Sequence, residues 1–166
     1  MALEKHFIRA VNSAVSNLLS TMIPMDFKLS EESAQNPANT QGFSRELVGT
    51  IDIRGGLSGS ISVMLSYPLA ISMASLLLEE ELDEVNEDVY EAVAEITNMI
   101  AGGVKTSLSQ HGSSFVIGLP QVFDLGGDKI SAFPEAGKGQ FPINVPVETL
   151  QGAFCVASLL QEEAFA

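Results

Sequence analysis

Hydrophobic side chains repeat along this chain with two different periods, and the order of those periods leaves few folds open. Across residues 4–22, Phe7, Val11, Ala14, Val15, Leu18 and Met22 recur at spacings of three and four, with Lys5, Arg9, Asn12, Ser13, Ser16 and Asn17 between them. An α-helix gathers residues at those spacings onto one face, so an amphipathic helix is expected, stopped before Pro24. Over 47–65 the period falls to two: Leu47, Ile51 and Ile53 alternate with Val48, Thr50 and Asp52, and Ile61, Val63 and Leu65 with Ser60, Ser62 and Met64. Successive strand side chains point to opposite faces, so two antiparallel strands joined around Gly55 and Gly56 are expected. Pro68 then stands in the first turn of a helix that is expected to continue over 69–80. Asn86 suits an N-cap, and Glu87 and Asp88 complement the helix dipole. A long helix therefore runs to about residue 110, with Gly112 to end it. The period of two returns at 115–119, 122–125, 141–147 and 152–159, separated by turns such as Gly126-Gly127. Pro142 and Pro146 turn their missing N–H groups to one side of a strand, which suits a sheet edge.

Helix, hairpin, two helices and then strands is the order of an α+β fold, a mainly antiparallel sheet with helices packed on one face. The 166 residues suffice for one core but not two. A single domain over 1–166 is expected, with the polar stretch 30–42 as an internal surface loop. Asp and Glu number 21 against 8 Lys and Arg, a net charge of -13, yet 46% of residues are apolar. The acidity therefore belongs to a folded surface, one that repels phosphate backbones and anionic lipid: no nucleic acid and no membrane is expected as a ligand. Cys155 has no second cysteine to pair with, and the first residues lack the apolar run of a signal peptide, so a cytoplasmic setting is expected.

Within the long helix, Val89, Ala92, Val93, Ile96, Met99, Ile100 and Leu108 share a core-facing side, while Glu91, Glu95, Asn98, Gly102 and Lys105 line the opposite one. Asn is a mediocre helix former, and Gly costs about 1 kcal/mol relative to Ala in a helix interior. One reading of their presence is access: a bare glycine lets another protein approach the backbone. A carboxamide, both donor and acceptor, can then hold a water in line with a phosphorus atom, while a carboxylate pairs with a cation of the partner. The other reading is a solvated helix face, with Gly102-Gly103 marking a break. Elsewhere, His6 and His111 have no nucleophile beside them and read as surface or capping residues. Cys155 reads as a small buried apolar residue.

The stretch Glu95-Ile96-Thr97-Asn98-Met99-Ile100-Ala101-Gly102, followed by Lys105 and Pro120, resembles the signature of the CheC/CheX/FliY family of chemotaxis phosphatases. Because the chain holds one Glu-x-x-Asn, it is most similar to CheX. The resemblance in element order spans about 47–159, and its specific residues lie within 91–120. It implies that Asn98 orients the water attacking the aspartyl phosphate of a CheY-type response regulator and that Glu95 contacts the regulator's active-site lysine. Glu91, Gly102 and Lys105 would belong to the docking face. Glu91 stands where the motif has Asp or Ser, keeping a carboxylate on a longer stem. The resemblance further implies that the regulator supplies Mg²⁺, that this chain needs no cofactor of its own, and that it forms a homodimer. The alternative is a non-catalytic module that binds a receiver domain or a flagellar-switch component through the same helix.

Overall fold

The structure is a computed structural model and describes residues 2–30, 46–126 and 139–162. The expected loop at 30–42 lies outside these beyond Ser30, as does Gly127 of the expected Gly-Gly turn. Helix α1 spans Ala2–Ser20 and is followed by β1, Phe27–Leu29. A hairpin of β2, Leu47–Gly55, and β3, Leu57–Leu65, leads into α2, Tyr67–Leu78, and α3, Glu87–Ser109. Four strands close the chain: β4, Phe115–Ile117; β5, Gln121–Asp124; β6, Phe141–Thr149; and β7, Gly152–Glu162. They form one seven-stranded antiparallel sheet in the order β1-β6-β7-β3-β2-β4, with β5 also on β2. The α+β expectation, helices against a mainly antiparallel sheet, is what the chain adopts.

The period of two sorts the sheet into faces. Ile51 and Ile53 of β2, Ile61 and Val63 of β3, Val145 of β6 and Val156 of β7 enter the main core with the helices. Val48, Met64, Cys155 and Ala157 form a smaller cluster with Leu125 on the other face. Cys155 is the buried apolar residue that the sequence suggests.

Local chemistry explains most boundaries. The Ser66 hydroxyl accepts from the Leu69 N–H at 3.2 Å and starts α2 at Tyr67, one residue ahead of Pro68, and Glu79, at φ 55°, ends it before the expected 80. Asn86 caps α3 as expected, its Oδ1 accepting from the Val89 N–H at 3.1 Å. Helix α3 continues unbroken through Gly102 and Gly103, which overturns the reading of that pair as a break. Met22, expected on the apolar side of the first helix, lies past its end and is 53% exposed. Strand β1 is absent from the sequence-based expectation because three residues are too short to display an alternation.

The expected strand over 115–119 stops at Ile117. Ile117 pairs with Ile53 and Gln121 with Thr50, so three residues, 118–120, face two on β2. That is a bulge, held by the Gly118 N–H donating to the Asp52 carbonyl at 2.8 Å. Pro142 and Pro146 lie on the part of β6 that β1 does not reach, since β1 pairs only with Val147, Glu148 and Thr149. Among the described residues that stretch is an edge, as the prolines suggest.

Candidate functional site on helix α3

Two close approaches seat α3. A Cβ at Gly49 of β2 would collide with the Thr97 hydroxyl, so only glycine there lets the helix lie this near the sheet. Thr97 is fully buried and donates to the Val93 carbonyl at 2.8 Å, which satisfies its hydroxyl inside the core. On the opposite flank a Cβ at Gly103 would sit 2.7 Å from the Ala14 Cβ, so this glycine admits α1. The two helices run antiparallel, because His6 near the start of α1 stacks on His111 just beyond α3, ring centroids 4.5 Å apart and planes at 16°. The histidines, expected separately at the surface, are therefore partners. The sequence spacing could not show this, since the helix pairing alone brings them together.

With the buried side of α3 so fixed, the stripe of candidate residues faces outward. Glu91 and Glu95 are exposed; Asn98, Gly102 and Lys105 are half-buried. The stripe is about 21 Å long at 1.5 Å per residue, with its acids toward the positive end of the helix dipole and its lysine toward the negative end. Among the described residues a Cβ at Gly102 would meet nothing within 4 Å. Internal packing does not require glycine there, in contrast to Gly103. The core side is wider than the sequence indicates: Thr97, Ala101 and Val104 are buried as well, while Met99 is only partly so.

A polar cluster borders the stripe that sequence patterning does not single out. Tyr67 at the start of α2 donates its hydroxyl to Oδ1 of Asp124 on β5, and Tyr90 of α3 donates to Oδ2 at 2.9 Å. The Gly126 N–H adds a third bond to Oδ1 at 3.0 Å. These are the chain's two tyrosines, and they converge on one carboxylate from two helices. The Tyr67 bond, opposed by desolvation and aided by the Gly126 and Tyr90 donors, holds the Asp124 carboxyl below the usual range. In return the hydrogen bond to Asp124, with desolvation and its negative charge, pushes Tyr67 up to about 12 and raises Tyr90. The only hint in the sequence is Tyr67 beside the helix-starting Pro68; Asp124 lies 34 residues beyond Tyr90, and only the fold joins them.

Pro120 lies in the bulge between β4 and β5, beside the 88% exposed Leu119. Among the described residues, no group of three or more His, Cys, Asp or Glu side chains is placed to hold a metal. Among the same residues, no helix is long and apolar enough to cross a membrane.

The family model for chemotaxis phosphatase CheX matches residues 47–144, more than half of the chain and all of α3. The chain belongs to the CheX family. The fold agrees: CheX from Vibrio vulnificus is 25% identical with a TM-score of 0.77, covering 93% of this chain and 96% of that one. CheX from Desulfovibrio desulfuricans is 27% identical with a TM-score of 0.77, covering 93% and 99%. A CheX-CheY-BeF3-Mg²⁺ complex from Borrelia burgdorferi, 24% identical over 94% and 98%, shares the fold at a TM-score of 0.68. Comparison with curated proteins finds no match. The CheX match includes Glu91, Glu95, Asn98, Gly102 and Lys105.

Proposed function

We propose that this chain dephosphorylates a phosphorylated CheY-type response regulator, with Asn98 orienting the attacking water and Glu95 pairing with the regulator's active-site lysine. The observation that carries the reading is Gly102, which keeps the helix surface beside Asn98 open although no packing among the described residues requires it. Phosphoryl transfer passes through a loose transition state, so positioning a water achieves much of the catalysis. The Asn98 carboxamide can accept from and donate to that water. A bond forms from the water oxygen to phosphorus as the bond to the aspartate oxygen breaks, and the water's proton passes to solvent. Inorganic phosphate and a free aspartate result.

The Mg²⁺ belongs to the phosphorylated regulator and arrives with it; this chain contributes no metal or cofactor. Glu91 and Lys105 extend the docking face on either side of Glu95 and Asn98. The fold shared with a CheX that was solved with CheY supports a regulator of that type as partner. The working form is a cytoplasmic homodimer.

Phosphate decay from a phosphorylated CheY-type regulator tests the reading. Asn98→Ala is expected to slow decay roughly a hundredfold, the size of effect seen when one positioned polar group is removed, while complex formation persists. Decay as fast as wild type rules out the water-orienting role. Glu95→Ala should weaken the complex; unchanged affinity and rate exclude its lysine contact. A wild-type protein that forms the complex without accelerating decay is a binding module instead.

A further inference from the structure

We infer that Tyr90 and Asp124 form a positioning clamp that trims the orientation of the N-terminal half of α3, within the side already fixed by core packing, and thereby aims Glu91 and Glu95 at the regulator. This rests on the phosphatase reading above. Apolar packing through Val89, Val93 and Ile96 fixes which side of α3 is buried, and a hydrogen bond, being directional, adds a finer angular restraint than apolar contact does. The two glycine-mediated approaches occur at Thr97 and at Gly103, both C-terminal to the docking carboxylates. Tyr90, adjacent to Glu91, supplies a directed bond for that half, its hydroxyl 2.9 Å from Asp124 Oδ2.

The acceptor is itself held. Asp124 lies on β5 opposite Leu47 of β2, and its other oxygen accepts from Tyr67 of α2 and from the Gly126 N–H. One carboxylate thus ties α2, α3 and the sheet edge together. Its bonds are exposed, and hydrogen bonds that compete with water add little to stability. Their consequence is geometric. A side chain tip about 6 Å from the axis moves by about 2 Å for a rotation of roughly 20°, enough to separate a docking carboxylate from its cation, whereas Asn98 stays beside the anchored Thr97.

Tyr90→Phe keeps the ring and removes only the bond. For hydrolysis of the phosphorylated regulator it is expected to raise KM roughly five- to tenfold, the equivalent of one hydrogen bond, with kcat changed less than about twofold. Combined with Glu91→Gln and Glu95→Gln together it should add little to the KM of that double variant, because the clamp acts through those two carboxylates. An unchanged KM in Tyr90→Phe, or a loss of thermal stability with no change in KM, overturns the clamp while leaving the phosphatase assignment intact. If wild type binds the regulator without hydrolysing it, the phosphatase reading fails, and dissociation constants of the same variants still decide the clamp. A wild type that neither binds nor hydrolyses overturns both.

Discussion

At Gly102 a methyl group would meet nothing within 4 Å among the described residues, whereas at Gly103 it would come within 2.7 Å of the Ala14 Cβ. Gly102→Ala should therefore stabilise the fold by about 0.5–1 kcal/mol, the helix preference of alanine, measured as a shift in denaturant midpoint. On the docking proposed above, the same variant should slow regulator dephosphorylation, because a Cβ would stand on the face offered to the partner. Gly103→Ala should instead destabilise by about 1–3 kcal/mol through overpacking against α1. Full activity in a stabilised Gly102→Ala protein would mean that the partner does not touch the helix there. Sequence spacing placed both glycines on the helix but could not separate them, since the difference lies in whether α1 is opposite. The same holds for Thr97, a polar residue buried because Gly49 lets the helix reach the sheet.

The elements meet at Asp124, and the tyrosines report on that meeting. The protein has no Trp and two Tyr, so an alkaline absorbance titration reads the cluster alone. Tyr67 should ionise near 12 and Tyr90 above its ordinary value of 10.0. A phenol with a raised folded pKa stabilises the fold fully below pH 10.0, and the contribution fades as pH rises through about 12. Asp124, with a lowered pKa, contributes in the opposite sense: its stabilisation is present above the normal carboxylate range and is lost as pH falls through its folded value. Asp124→Asn should bring both tyrosines back toward 10.0; titration unchanged by that substitution would contradict the cluster. Helix caps and strand alternation were legible because each depends on residues near in sequence, as at Asn86 and along β2. The bulge at 118–120 was not, because it is a mismatch between two strands and exists only once they pair.

Over the whole molecule the charge is uneven. Nine of the 21 acids lie within residues 79–95, with no Lys or Arg among them, and all nine are exposed. Five lie in the segment between α2 and α3 and four on the first turns of α3, so negative charge gathers at the end of the helix that carries Glu91 and Glu95. A lysine and a divalent cation in the partner's pocket would be drawn to it. Raising the ionic strength from about 0.05 to about 0.3 M shortens the screening length from roughly 14 to roughly 6 Å and should slow complex formation severalfold, with the dissociation rate affected less. Stopped-flow association rates insensitive to salt would remove this field from the docking step.

The sequence by itself determined every element but the three-residue β1, and most of their faces, from the two hydrophobic periods, and it marked the Glu95, Asn98 and Gly102 stripe, because a helix converts spacing directly into a shared surface. Only the tertiary structure decided which glycine is open, which polar residue is buried, that His6 meets His111, and that Tyr67, Tyr90 and Asp124 converge. Those relations join residues far apart in the chain, and their distances are set by how helices and strands pack, which no local pattern encodes.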